Sequence, residues 1–334
     1  MLKKPLAVVV LAAGIGTRMK SNLPKVLHPL MGRAMLSYVL DQAESLKPQK
    51  NILVVGHKAD QVEEVFKDRQ GIFVRQLPQL GTGHALQVAQ KELESFQGMV
   101  VVLSGDVPLI EKETLKELIR VHQQEKAVLT LISTEIEDPK GYGRIIREPQ
   151  GQLRRIVEEK DATPEERRIR EINTGLYCFS SEFLFSSLPQ LNRKNRQKEY
   201  YLTDLVQTAR VKGQPMAALF HPRSEEVLGI NDRAELARSN QVLKQRILQA
   251  LMRQGVTIID PVTTYIESSV RIGADTVIGP FTIILGKTRI GSKCDIQSHV
   301  AIDTATIKDG ETIPPFTWIK ERIIKNGVKG LGIK

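Results

Sequence analysis

Polar and apolar positions along this 334-residue chain follow two rhythms. Up to about residue 230, short apolar runs alternate with amphipathic stretches. Residues 6–11 (LAVVVL), 51–55, 72–74, 99–103 and 127–132 have the length and β-branched content of buried strands, and 35–46, 84–96 and 112–123 have the spacing of helices. This alternation predicts an α/β fold, a doubly wound, mostly parallel, Rossmann-like sheet with ligands outside the carboxyl ends of its strands. Residues 144–147 and 153–157 flank Pro149-Gln150-Gly151 and predict a hairpin inserted in that scheme.

After Gly255 the period becomes six. Ile266, Ile272, Ile278, Ile284, Ile290, Ile296 and Ile302 recur without a miss. Four positions after each stand Val270, Thr276, Thr282, Thr288, Cys294, Val300 and Thr306, all small or β-branched. One inward aliphatic and one small inward residue per hexad predict a short left-handed β-helix of hexapeptide repeats. The register lapses at Lys308, and Pro314-Pro315 with the Lys- and Gly-rich tail read as a cap and a frayed end. Between the two rhythms, residues 232–255 read as one helix, with Asp232 and Glu235 as a capping box and Gly255 as its stop. The expected organisation is therefore 1–231, a linker helix at 232–255, and 256–334.

Chemistry concentrates behind the first strand, in LAAGIGTRMKSNLPK (11–25). Gly14 and Gly16 let the backbone turn and bring N–H groups close to an anion. Arg18 can grip a phosphate bidentately, Lys25 adds a mobile positive charge, and Pro24 fixes the backbone before it. A dinucleotide fingerprint fits poorly: Met19 stands at the third glycine position, and Asp41, about 20 residues on, falls inside a predicted helix. The loop reads as a nucleoside triphosphate cradle.

Composition narrows the class further. Hydrophobic content of 41% and charged content of 26% are those of a soluble globular protein, and no apolar run reaches the 18 residues of a membrane span. The basic start of the chain imitates a signal peptide, but cleavage after Ala13 would discard the first strand, so a cytoplasmic location is expected. Cys178 and Cys294 lie far apart without a CxxC pair, which suits a reducing compartment. The net charge of +10 is diffuse; its densest run, 193–198 (RKNRQK), lacks interleaved aromatics, so no nucleic acid partner is expected.

Seven motifs in order, LAAGIGTRMKSNLPKVLHPL, QLGTGHA (79–85), SGDVPLI (104–110), GYGRI (141–145), EINTGLY (171–177), YYLTD (200–204) and GIND (229–232), resemble the bacterial N-acetylglucosamine-1-phosphate uridyltransferases. The likeness is close over residues 5–255 and architectural in the hexapeptide region. It implies a sugar nucleotidyltransferase that joins UTP to N-acetylglucosamine 1-phosphate, with Mg²⁺ as cofactor, and a homotrimer assembled through the hexapeptide helix.

It also implies residue roles. Leu11, Ala12, Ala13 and Gly14 would contact the nucleotide, with Ser104 and Gly105 beside it; Gln76, Gly81 and Thr82 would read the uracil. Arg18 would hold the triphosphate, with Lys25 between it and the sugar phosphate. Asp106 and Asn231 would hold the metal, and Gly143, Glu158, Asn173 and Tyr201 the amino sugar. Taken alone, Asp106 equally fits a turn, Asn231 a helix N-cap, and Glu158 part of a solvated charge run, EEKD.

In the bifunctional members of this family a longer β-helix carries a second, acetyl-CoA-dependent site. Lys334 falls before the segment that would supply it, so acetyltransferase activity is expected to be absent. Glucose-1-phosphate thymidylyltransferases typically begin LAGG with a lysine further from the arginine, and cytidylyltransferases share the AAG opening and a PK pair but usually lack a hexapeptide tail. A non-catalytic binding protein on this scaffold is weakened by the retention of Arg18, Lys25, Asp106 and Asn231.

Overall fold

A computed structural model describes residues 4–325. The chain divides into two compact units, one made of the residues up to His28 with Ala34–Arg233, the other of Pro29–Arg33 with Ala234 onward. The expected continuous unit 1–231 thus lends a short loop to the second unit, and the helix expected as a separate linker groups with it as well.

The first unit is built on nine strands: β1 Leu6–Ala12, β2 Lys50–Val55, β3 Ile72–Arg75, β4 Met99–Ser104, β5 Leu129–Glu135, β6 Arg144–Arg147, β7 Leu153–Val157, β8 Glu171–Ser180 and β9 Met216–Phe220. Their order is β9-β5-β8-β4-β1-β2-β3, with the hairpin β6-β7 attached at β8. All neighbours along the main path are parallel except β8, which runs antiparallel to both β4 and β5. Strands β8 and β9 carry no sequence expectation above, and β8 makes the sheet mixed at its centre.

Period-two alternation places Ala7 and Val9 of β1 in one apolar core and Val8 and Val10 in another, all fully buried. Helices α1 Met35–Ser45, α2 Ala59–Phe66, α3 Thr82–Ala89, α4 Lys112–Gln124, α5 Ser181–Ser187, α6 Asp204–Val211 and α7 Ser224–Val227 cover the two faces. Residues of α3, α5 and α6 pack in the first core, those of α1, α2, α4 and α7 in the second. A strand covered on both faces has no polar side to show, which is why β1 reads as an unbroken apolar run. The helix expected over 84–96 begins instead at Thr82, behind a Gly81 with φ +101, and yields to a 3₁₀ turn at Gln90–Leu93.

His122, on the inner side of α4, is 3% exposed and its Nδ1 lies 3.0 Å from Thr130 Oγ1. Burial pushes this imidazole down to about 4. Its folded pKa therefore lies below the ordinary value near 6.5, so the stabilisation it offers is complete above that pH and is lost as pH falls toward 4. We expect His122 alone to remove up to about 3 kcal/mol of stability over that interval. Urea titrations at pH 7 and pH 4 should show a smaller acid loss in His122→Asn, and equal losses would contradict this.

In the second unit α8, Arg233–Arg253, turns Leu248 and Leu251 into an apolar core, and Gly255 leaves the helix at φ +92. Met31, in the loop contributed from early in the chain, receives a hydrogen bond from Ser268 N at 3.2 Å and donates to Asn240 Oδ1 at 3.0 Å. The hexads form a short left-handed β-helix of three four-stranded parallel sheets. Ile266, Ile284, Ile302 and Ile319 stack on one face, Ile258, Ile278, Ile296 and Ile313 on a second, and Ile272, Ile290, Ile307 and Ile324 on the third. Thr276, Thr282 and Thr288 are fully buried, their hydroxyls donating to Gly291, Gln297 and Leu285 carbonyls.

Three details of this β-helix correct the sequence reading. The ladder does not lapse at Lys308: the step from Ile302 to Ile307 is five residues, so the register drops by one and then continues through Ile313 and Ile319, both fully buried. Ala305 takes the small inward place expected of Thr306, because a corner can lose a residue while the paired strands stay in register. Pro314-Pro315 accordingly lies within a coil, between strands Thr312–Ile313 and Trp318–Lys320. The tail expected to fray, residues 326–334, lies outside the described residues.

Candidate functional site

The loop after β1 turns on Gly16, which sits at φ +67 and leaves no room for a side chain: a Cβ there would come 2.5 Å from Lys25 Cβ. Met19 is buried and anchors the following 3₁₀ turn, which is why an apolar residue stands where a dinucleotide fold needs glycine. Pro24 (φ −50, ψ 137) then starts a second 3₁₀ turn, Lys25–Leu27; Val26 and Leu27 are buried, and the lysine lies back along the glycine loop.

Asp106 follows β4 through Gly105, whose N–H donates to Leu11 O at 2.8 Å. Ile230 N donates to Asp106 O at 2.8 Å, and a Cβ on Gly229 would lie 3.2 Å from Asp106 Oδ1, so the segment 229–231 is held against the aspartate. The result is one cluster of residues distant in sequence. Lys25 Nζ contacts Asp106 Oδ2 and donates to Asn231 Oδ1 at 2.9 Å, and Arg18 donates to the same Asn231 oxygen at 3.0 Å. A carboxylate and an amide oxygen converge on one cation.

Beside this cluster lies a cleft of about 430 Å³. Its walls carry Leu11, Ala12, Ala13, Gly14, Lys25, Gln76, Gly81, Thr82, Ser104 and Asp106, with Gln79 and Glu199 in addition. Gln76 is 3% exposed, and its Nε2 donates to Gly81 O at 2.9 Å. Gly81 is required by geometry as well as by its positive φ, since a Cβ would lie 2.7 Å from Tyr200 O.

The residues expected around the sugar form a second group. Asn173 N donates to Gly143 O at 2.9 Å, and a Cβ on Gly143 would lie 3.5 Å from both Glu158 carboxylate oxygens. Glu158 accepts from Thr203 Oγ1 at 3.0 Å. Burial raises its pKa, and nearby Asp204, Asp161 and Glu199 raise it further, so this carboxylate is no solvated charge. Asn173 Nδ2 donates to the Tyr177 hydroxyl at 2.7 Å. Tyr201 is 7% exposed and donates to Asp161 Oδ2 at 3.0 Å. Glu158 and Tyr201 line a separate cavity of about 610 Å³.

Two supporting residues carry no role in the sequence reading. Thr203 was inside a quoted motif, YYLTD, but nothing in the sequence paired it with Glu158. Glu226 is fully buried in α7, where it accepts from Glu111 N at 3.2 Å, from the Thr114 hydroxyl and from Arg223, with His221 Nε2 3.1 Å away. It fixes the helix that precedes Asn231, and one glutamate in a short polar stretch gives no warning of that role.

Residues 8–256 match the model of a known family, the MobA-like NTP transferase domain. Beyond that domain, the chain is 46% identical over 324 residues to the "Bifunctional protein GlmU" of Geotalea uraniireducens, covering 97% of this chain and 71% of that one. The GlmU proteins of Halalkalibacterium halodurans and Enterococcus faecalis are each 44% identical, over 96% of this chain and 69% of their own length. The chain belongs to the GlmU-type NTP transferases. Similarity to these GlmU proteins runs through the β-helix as well as the sheet, further than the motifs alone reach. As a GlmU-type NTP transferase, the chain is an enzyme of the nucleotidyltransferase class. Among the described residues no helix is long and apolar enough to cross a membrane, and no group of three or more His, Cys, Asp or Glu side chains forms a metal cage.

Proposed function

We propose that the enzyme transfers the uridylyl group of UTP to the phosphate of N-acetylglucosamine 1-phosphate, forming UDP-N-acetylglucosamine and pyrophosphate. The observation that carries this reading is the convergence of Arg18, Lys25, Asp106 and Asn231 at the carboxyl ends of β1 and β4, next to a cleft walled by Gln76. A sugar phosphate oxygen attacks the α-phosphorus, the α–β anhydride bond breaks, and pyrophosphate leaves with its electron pair. The attacking phosphate monoester is already anionic, so no side-chain base is needed. The chain's contribution is position and charge.

Arg18 and Lys25 supply fixed positive charge for the phosphates, and residues 11–14, at the end of β1 and the start of its loop, line the cleft beside them. Asp106 and Asn231 offer two hard oxygens that already share one ammonium group, a donor set suited to Mg²⁺ completed by phosphates and water. When bound there, Mg²⁺ would neutralise charge on the phosphate oxygens. Gly143, Glu158, Asn173 and Tyr201 are assigned to the amino sugar. A panel of sugar 1-phosphates assayed for pyrophosphate release should favour the N-acetylated hexosamine; exclusive use of a hexose lacking the acetamido group would overturn that assignment. The free, buried Cys178 and Cys294 support a reducing, cytoplasmic setting.

Trimer assembly is assigned to the β-helix. Phe281, His299 and Phe316 stack ring on ring at 4.8 Å across successive coils, beside outward Ile283 and Trp318, leaving one apolar face in which Trp318 is 70% exposed. Sedimentation velocity is expected to show a trimer that Trp318→Asp shifts toward monomer. A monomeric unmodified chain at all concentrations would remove this assignment.

A further inference from the structure

The Gln76 carboxamide has its two hydrogens committed. Its Nε2 lies 2.9 Å from Gly81 O and 3.2 Å from His84 Nδ1. A backbone carbonyl can only accept, so the atom facing Gly81 is the NH₂ group, and the orientation of the amide is settled by chemistry. The second hydrogen needs a lone pair, which His84 offers at Nδ1 when its N–H is directed elsewhere. An amide NH₂ has no lone pair to give, so a neutral His84 that meets it at Nδ1 accepts there and carries its own proton on Nε2. Burial lowers the pKa of His84, the Pro78 backbone raises it and nearby Arg193 lowers it, and the net shift is downward, toward the neutral ring. The ring is itself held in place: Tyr200 stacks on it at 6.2 Å, Arg193 lies 5.8 Å over the Tyr200 ring, and Tyr200 O accepts from Gly83 N at 2.8 Å.

With both hydrogens used, what Gln76 can offer the cleft is its carbonyl oxygen. We propose that His84 is a positioning residue for nucleobase choice: it pins the Gln76 amide so that an acceptor, not a donor, meets the base. This rests on the uridylyl-transfer reading and adds to it the origin of pyrimidine selectivity. Uracil presents an N3–H to that oxygen. Cytosine presents a bare N3, so two lone pairs would face each other at the buried Gln76 amide, and an unmatched buried polar contact of this kind rejects a substrate by about 10²-fold or more. Thymine shares the N3–H and is not discriminated at this contact.

The test compares UTP with CTP in the unmodified enzyme, in His84→Asn, whose carbonyl can still accept from Gln76, and in His84→Leu, which cannot. The ratio of kcat/KM for UTP over CTP should be about 10² or more in the first, within about threefold of that in H84N, and at least about tenfold lower in H84L. Equal loss for both triphosphates in H84L, with the ratio unchanged, would make His84 merely structural and overturn the proposal. A preference of the unmodified enzyme for CTP would overturn it too. Failure of the unmodified enzyme to turn over either triphosphate would overturn uridylyl transfer alone; the UTP/CTP Kd ratio from calorimetry on the same three proteins would then decide His84 by the same criterion.

Discussion

Replacing Asp106 with alanine is expected to lower Mg²⁺-dependent turnover by about 10³-fold or more while leaving the fold intact. The side chain is one-fifth exposed and contributes to neither apolar core, so its removal opens no cavity. It does strip one of the two oxygens that converge on Lys25, and with it the carboxylate assigned to Mg²⁺. Backbone contacts from Gly105 and Ile230 keep the turn in place whatever side chain stands at 106. Circular dichroism and thermal melting should therefore be nearly unchanged, and calorimetric Mn²⁺ binding should weaken together with kcat. Near-normal activity would mean that the metal is held elsewhere.

Lys25→Ala is the second large effect. Its side chain is only 13% exposed and its ammonium touches both Asp106 and Asn231, so its loss leaves those two oxygens without their shared cation and removes a charge assigned to the phosphates. A fall of about 10²–10³ in kcat/KM is expected, in the range found when one preorganised charge-stabilising group is deleted. Because Arg18 shares the Asn231 oxygen, the double variant R18A/K25A should lose less than the product of the single losses. Strictly multiplicative losses would show that the two cations act independently.

Much of this was legible in the sequence, for physical reasons that differ by region. The isoleucine ladder is periodic because each coil repeats the same packing problem, so architecture could be read from spacing alone. Its five-residue step at Ile302–Ile307 could not, since shortening one corner leaves no mark except a broken count. The glycine loop was legible because close approach of backbone to anion demands glycine and cations in a fixed order. Strand β8 was not, because Gly175, at φ +78, interrupts its alternation where the strand bulges between β5 partners. The least visible parts are those that act through another side chain. His84 is one histidine among six, and only the coordinates place its Nδ1 on Gln76. Glu158 read as a solvated charge because burial depends on Thr203 and α6, about 45 residues away.

The most direct test of uridylyl transfer is ³¹P NMR of the purified chain incubated with Mg²⁺, UTP and N-acetylglucosamine 1-phosphate. The account predicts loss of the UTP α, β and γ resonances, growth of a pyrophosphate signal and appearance of the paired diphosphate resonances of UDP-N-acetylglucosamine, all dependent on the sugar phosphate. Unchanged UTP, or hydrolysis to UMP and pyrophosphate with no diphosphate sugar formed, would contradict it.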